Sequence, residues 1–413
     1  MSTTAVIPAV PLERPAHRDG NVLRWLAAYT ASMVGDSVYY LALSWAAARV
    51  GSPAQAGLVL AVGSVPRALL MLGGGVFADR FGPRRVVIGS DAARSVIILG
   101  MAACLLFTGP ALGLLIATAL VFGVVDALFL PAVGALPPRI TTEGQLGRVQ
   151  GLRGLAARIA NVTGAPIGGL AVALGGSVAA FTAAGALFAV SLALLLTVRM
   201  SPLAGGARSE STAWRRLADG LRYIRSHRVL APLMVVLAVG ELGFVGPMNI
   251  GLTLLAQQRG WGAAGMGWIV AAFGTGAGAA SLLLAVRGRI PRAGLVQSCA
   301  LLGGAASAVG LAFAPSVVLA AAAGALIGAL AGLSGAICGA LLQTVTAPAY
   351  LGRVTSVATL FSLGIAPLSY PVTGAAIGAW GTGPVFVASA AVCATGALTG
   401  LASRVLRRVE LPH

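Results

Sequence analysis

Residues 75–85 read Gly75-Val76-Phe77-Ala78-Asp79-Arg80-Phe81-Gly82-Pro83-Arg84-Arg85. One apolar run, 54–78, ends inside this stretch, and another, 86–107, begins just after it. Each run has the roughly 20 residues that a helix needs to cross a hydrocarbon core. Between them Gly82 permits a tight turn. Asp79 at the membrane edge can accept charge-assisted bonds or cap a neighbouring helix. Arg80, Arg84 and Arg85 hold the turn on the side where basic loops collect. The stretch therefore reads as a short hairpin between two membrane-spanning helices.

Working outward by the same rule gives spans at 23–48, 54–78, 86–107, 112–136, 149–173, 177–198, 229–256, 262–286, 293–313, 317–344, 354–378 and 384–404. In lipid the backbone must satisfy its own hydrogen bonds, so these segments are helices. The expected fold is an all-α polytopic membrane protein of twelve transmembrane helices. Composition agrees: of 413 residues 58% are hydrophobic and 9% charged, with a mean hydropathy of +0.92, where soluble domains carry about a quarter charged residues. The 57 glycines suit close helix packing in a membrane.

A net charge of +17 would point to nucleic acid in a soluble protein. Here every basic residue is arginine, and the arginines lie between apolar runs rather than along one face, which excludes that partner. With the N-terminus inside, 22 arginines fall in inner loops and tails and two, Arg49 and Arg259, in outer loops. That bias predicts a multi-pass protein of the inner (plasma) membrane with both termini cytoplasmic. Residues 1–22 lack a cleavable signal pattern and read as a tail. The four cysteines, Cys104, Cys299, Cys338 and Cys393, sit in apolar runs as small packing residues.

The longest polar interval, 199–228, divides the spans six and six: an N-terminal bundle 23–198, a C-terminal bundle 229–404 and a tail 405–413. Within the interval Trp214, Leu217, Leu221 and Ile224 share one face of a helix, with Arg215, Arg216, Asp219 and Arg222 off it. This fits either an amphipathic interfacial helix or a charged linker. The halves repeat. Leu146-Gly147-Arg148-Val149 recurs as Leu351-Gly352-Arg353-Val354, and at the same offset of 205 residues Pro166 maps to Pro371 and Gly169 to Gly374. Parallel repeats of six spans about an axis along the membrane normal are a transporter plan.

The hairpin quoted first resembles the signature between helices 2 and 3 of the major facilitator superfamily: Gly75, Asp79-Arg80, Gly82, then Arg84 and Arg85. Pro83 departs from it, standing where the family often has a basic residue. Gly164-Ala165-Pro166-Ile167-Gly168-Gly169 in the fifth span resembles the glycine–proline motif of the exporter branch, with Ala165 in place of a usual Gly. Phe129-Leu130-Pro131-Ala132, Leu136 to Arg139, Asp91 with Arg94, and Trp214 to Leu230 also resemble the exporters of the enterobactin and macrolide efflux type. The resemblance covers most of the N-terminal half and weakens after residue 260. It implies the major facilitator fold, a conformational role for the helix 2–3 loop with Asp91 and Arg94, antiport for the helix 5 motif, and a central cavity lined by helices 1, 4, 7 and 10.

Three acids lie near span centres: Asp36 in helix 1, Asp126 in helix 4 and Glu241 in helix 7. Arg67 in helix 2 and Arg158 in helix 5 lie deep as well. A charge at the bilayer centre costs about 2.5–3.5 kcal/mol on insertion scales, so such groups pair, neutralise or face water. Asp36 or Asp126 can simply neutralise Arg67. Glu241 has no deep arginine in its own half, and Gly240 and Gly243 beside it leave room for water or substrate. It is the leading candidate for a proton-coupling carboxyl, with Asp36 or Asp126 the second. Tyr39, Phe129 and Phe244 follow the three acids by three residues, on the same helical faces, a lining that suits a lipophilic, cationic substrate. No phosphate-binding loop occurs, no lysine exists to build one, and His17, His227 and His413 lie in tails or loops. The expected protein is thus no enzyme and uses no cofactor or metal. It is expected to act as a monomer that exports a small amphipathic or antibiotic-like molecule by proton antiport. The rival readings are an uptake symporter on the same fold and a non-transporting membrane sensor or scaffold.

Overall fold

The computed structural model describes residues 16–200, 213–287 and 290–410; the side chains of 71–80, Glu143, Ala213, Trp214, Arg216, Ala285 and Arg287 also lie outside the description. The expectations placed on Arg14, Arg208, Arg289 and the side chains of Gly75, Asp79 and Arg80 therefore fall outside the described residues.

Twelve helices cross the molecule: α1 (Gly20–Val50), α2 (Pro53–Phe81), α3 (Pro83–Thr108), α4 (Leu112–Gly134), α5 (146–174), α6 (177–197), α7 (Leu230–Gln258), α8 (Gly262–Arg287), α9 (Ala293–Ala312), α10 (Val317–Val345), α11 (Leu351–Trp380) and α12 (Thr382–Ala402). Among the described residues ten helical stretches are long and apolar enough to span a membrane. One of them, Leu146–Thr197, is two helices meeting at Gly175 and Gly176. Gly176 has φ 65°, a left-handed conformation that glycine adopts at little cost. The twelfth span is α1, 31 residues long, whose Arg24, Asp36 and Arg49 make it less apolar. Tight turns join neighbours. Ser52 and Gln55 form a reciprocal capping box at the start of α2, with Pro53 in the first turn. Gly82, at φ 85°, turns the chain from α2 into α3.

Twelve crossings put the start of α1 and the end of α12 at the same end. At that end each half has its own core. Trp25, Val86, Leu136, Val149 and Leu195 pack together in the N-terminal half. Leu230, Leu233, Ile337, Leu341, Val354 and Leu406 do so in the C-terminal half. At the opposite end a single apolar core runs through both halves, from Ala46 and Phe181 to Leu255, Leu311 and Phe386. The halves are thus joined away from the termini and separate beside them.

The junction is built twice. Gly169 on α5 lies against the backbone of Ala263 on α8, and Gly267 on α8 against Ala165 and Pro166. In the same way Gly374 on α11 lies against Pro53 and Gly57 on α2, and Gly57 against Tyr370 and Pro371. Any side chain at these glycines would meet the other half's backbone. The 205-residue sequence repeat, which relates Pro166 to Pro371 and Gly169 to Gly374, therefore relates the two interfaces as well.

The linker carries a helix, Ala213–Ser226. It docks on α11: Gly220 faces the Arg353 backbone, Tyr223 stacks on Tyr350 at 4.3 Å between ring centroids, and Asp219 lies 3.9 Å from Arg353. Its buried face centres on Gly220 and Ile224, while Leu221 is exposed. The apolar face expected from Leu217, Leu221 and Ile224 is rotated, because Gly220 allows the backbone to approach α11.

Candidate functional site

Arg94 on α3 is the hub of a buried ionic cluster. The span begins at Pro83, so Arg94 stands eleven residues in, about 16 Å along the axis. The resemblance to the exporters paired it with Asp91 in a conformational role. The geometry puts both at the depth of Asp36 and Asp126. Arg94 Nη1 lies 3.0 Å from Asp36 Oδ1 and 3.4 Å from Asp126 Oδ1. Its Nη2 donates to Asp91 Oδ1 and, at 3.0 Å, to Ser32 Oγ. The Ser191 hydroxyl donates to the other oxygen of Asp91. The guanidinium is stacked against Phe129 at 3.8 Å and Phe188 at 4.7 Å from the ring centroids.

A second arginine joins the cluster from α2. Arg67 Nε lies 3.2 Å from Asp126 Oδ2, and its Nη1 donates to Tyr40 Oη at 3.1 Å. Three carboxyls thus meet two guanidiniums. Arg94, Asp91 and Asp126 are sealed from solvent, whereas Asp36 keeps 16% of its side-chain exposure and Arg67 26%. Those two form the accessible rim of the cluster.

Arg67 opens into a cavity of about 440 Å³ between the halves. Its N-terminal wall includes Ser37, Tyr40, Arg67, Arg158 and Asn161; its C-terminal wall includes Phe244, Met248, Asn249, Phe273 and Tyr370. Above it, on the side away from the termini, Ser44 and Thr253 are hydrogen-bonded across the halves, and Gln257 Nε2 donates to the Trp45 carbonyl at 3.5 Å. Next to the cavity α7 contains a π-helical turn, Pro247–Gly251, a distortion often found at functional sites.

Of the residues singled out in the sequence, Arg67, Phe244 and Arg158 line this cavity. Asp36 is not among its lining residues, although its neighbour Ser37 is. Tyr39 and Phe129 do not share it: Tyr39 is buried with its ring 3.8 Å from Phe122, and Phe129 lies under Arg94. Glu241 is half-buried inside the C-terminal half, hydrogen-bonded to Ser362, and forms no ion pair among the described residues. Gly240 and Gly243 do not open space at its carboxyl. A side chain at Gly243 would meet Ser389 and Cys393, and one at Gly240 would meet Leu301. These glycines admit neighbouring helices. In the helix 5 motif Gly164 and Gly168 pack against Ser37 and Val38 of α1, while Pro166 and Gly169 face α8. Arg84 and Arg85 are exposed beside the Gly82 turn.

Ser32, Ser191, Tyr40 and Tyr370 were missed. Ser32 and Tyr40 had a signal, since each stands four residues from Asp36 on one helical face. Ser191 and Tyr370 come from distant helices and had none.

The model of the Major Facilitator Superfamily matches residues 25–263. The multidrug efflux pump Tap of Mycobacterium tuberculosis is 27% identical over 401 residues, 94% of each chain. The enterobactin exporter EntS of Escherichia coli is 28% identical over 348 residues, 82% of this chain and 80% of its own. The crystal structure of the nucleoside transporter NupG superposes with a TM-score of 0.73 at 12% identity, covering 93% of this chain and 99% of that one. With a family match over more than half its length and twelve helices in two six-helix halves around a central cavity, the chain belongs to the Major Facilitator Superfamily.

Proposed function

We propose that the protein exports a small amphipathic compound by proton antiport, through alternating access of the two halves. The observation that carries this reading is the cavity between the halves with an acid–arginine cluster at its border. Kinship over most of the chain with two exporters supports the outward direction and weighs against uptake symport. A sensor or scaffold would have no use for such a cavity. The arginine bias supports cytoplasmic termini. On that orientation the halves are closed outside and apart inside, which is the form that loads cargo from the cytoplasm. Labelling of a Ser209→Cys variant from outside intact cells by an impermeant reagent would overturn the orientation.

Three carboxyls against two guanidiniums make the cluster neutral with one bound proton and singly negative without it. A net charge at this depth costs about 2.5–3.5 kcal/mol on insertion scales. The proton is therefore exchanged where water enters, and Asp36 is the carboxyl of the three that water reaches. Glu241, unpaired in the other half, is the second coupling carboxyl. The test uses a hypersensitive, efflux-deficient host and a compound panel, followed by everted vesicles. Expression should raise resistance to at least one compound, and adding that compound to acidified vesicles should release protons. Asp36→Asn should abolish both effects. Unchanged sensitivity throughout the panel, or export that ignores the pH gradient, would sink the reading.

A further inference from the structure

Among the described residues the charged side chains that line the central cavity are arginines, Arg67 and Arg158, and no acid is part of the lining. The two differ in what they already hold. Arg67 engages Asp126 through Nε and Tyr40 through Nη1. Arg158 is exposed toward the cavity and forms no ion pair among the described residues. Its one hydrogen bond there runs from Nη1 to the Ala277 carbonyl at 3.4 Å, across the interface to α8. Gly278, whose Cβ position would lie 4.0 Å from Arg158 Cδ, leaves space for the side chain. A guanidinium exposed to the cavity with one protein partner keeps donors for a ligand: it has five in a planar fork matched to two anionic oxygens.

The opposite wall has another chemistry. Phe244 and Phe273 lie with ring centroids 5.9 Å apart, flanked by Met248, Met266 and Val270. Across the cavity a cationic, hydroxyl-bearing wall on α1, α2 and α5 thus faces a mainly apolar, aromatic wall on α7 and α8 in which Asn249 is the polar residue.

We infer that the cavity selects amphipathic molecules bearing an anionic group, which Arg158 receives while the aromatic or aliphatic body rests on Phe244 and Phe273. The lipophilic cation suggested by acid–aromatic spacing is excluded from this wall. The acids of that pattern are committed to Arg94 and Arg67 or held inside the C-terminal half. Arg158 is a recognition residue in this account. It stays protonated and exchanges no proton, so its charge is constant through the transport cycle. The anion also neutralises the wall that must close around it, so a bound anionic cargo favours occlusion. The inference rests on this cavity being the transport site, not on the direction of transport.

The test compares three dansyl probes on purified protein in detergent: anionic dansylglycine, neutral dansylamide and cationic dansylcadaverine. Wild type should bind dansylglycine most tightly and dansylcadaverine least. Arg158→Ala should weaken dansylglycine about tenfold or more, leave dansylamide within about twofold, and abolish the discrimination. Arg158→Lys should restore part of it, because the charge returns without the fork. Unchanged dansylamide binding and an unchanged size-exclusion profile show that the variant is folded. Wild type that binds none of the probes, binds all three alike or prefers the cation overturns the inference. So does anion preference that survives Arg158→Ala. Binding needs no gradient, so it separates this inference from the export reading. Arg158-dependent anion binding without pumping would overturn export alone, and pumping of dansylcadaverine without anion binding would overturn this inference alone.

Discussion

Removing the guanidinium of Arg94 leaves Asp36, Asp91 and Asp126 together with Arg67 alone to answer them. Loss of one partner from a buried ion network costs about 3–5 kcal/mol. Arg94→Met should therefore lower the apparent melting temperature of the detergent-solubilised protein markedly. Adding Asp91→Asn should recover part of the loss, since groups in one network are not additive. A single variant that melts with wild type would show that the cluster is not a structural tie. Glu241 makes the contrast. Among the described residues it has a hydroxyl partner and no counter-charge, so Glu241→Gln keeps the hydrogen bond to Ser362 and should leave melting nearly unchanged. On the coupling proposal it abolishes efflux driven by a pH gradient while neutral-substrate binding persists, and a variant that still concentrates substrate like wild type removes Glu241 from that role. The individual acids were legible in the sequence because a charge inside an apolar run is conspicuous. Their partners were less so. Asp91 and Arg94 lie three residues apart on one helix, but only the packing of α3 against α1, α4 and α6 carries them to Asp36 and Asp126.

At the scale of elements, the glycines of α5 and α11 set how closely the halves approach. Gly169 and Gly374 occupy corresponding places in the repeat, and each lies against backbone of the other half. Gly169→Val and Gly374→Val should each force the outer ends apart. The expected result is lost turnover with retained expression, together with increased labelling of a cysteine at Thr253 from outside intact cells. Wild-type turnover in either variant would mean that this closure is not needed. Gly164→Val should instead disturb packing within the N-terminal half, because its neighbours are Ser37 and Val34 of α1. Helix positions followed closely from hydropathy, since a span must be about as long as the hydrocarbon is thick. Two features lay beyond that rule. Hydropathy is blind to the π-helical turn in α7, which changes hydrogen-bond register without changing composition. The face of the linker helix was misread because amphipathic patterning gives no weight to Gly220, whose missing side chain is what brings the helix onto α11.

Across the whole molecule, one apolar core joins the halves at one end and two separate cores hold them at the other. On the proposed alternating access the joined end opens in turn, and any bond across it must break in every cycle. The Ser44–Thr253 hydrogen bond is such a bond, linking α1 to α7 directly above the cavity. Its two side chains are close enough for a disulfide to replace the hydroxyl contact after modest adjustment. In a background where exposed Cys104 and Cys299 are replaced by alanine, the pair Ser44→Cys and Thr253→Cys should transport normally when reduced. Oxidation should stop turnover, and a reducing agent should restore it. A cavity residue such as Asn249, replaced by cysteine in the same background, should stay reactive from the cytoplasmic side in the oxidised protein, because the lock leaves the inner ends apart. Each single-cysteine variant controls for oxidation elsewhere. If the oxidised double variant transports at its reduced rate, α1 and α7 do not separate here, and the opening must run through the α2–α11 and α5–α8 contacts without them. If turnover stops but Asn249→Cys becomes unreactive, the lock closes the inner ends instead, and the inward-open assignment is wrong.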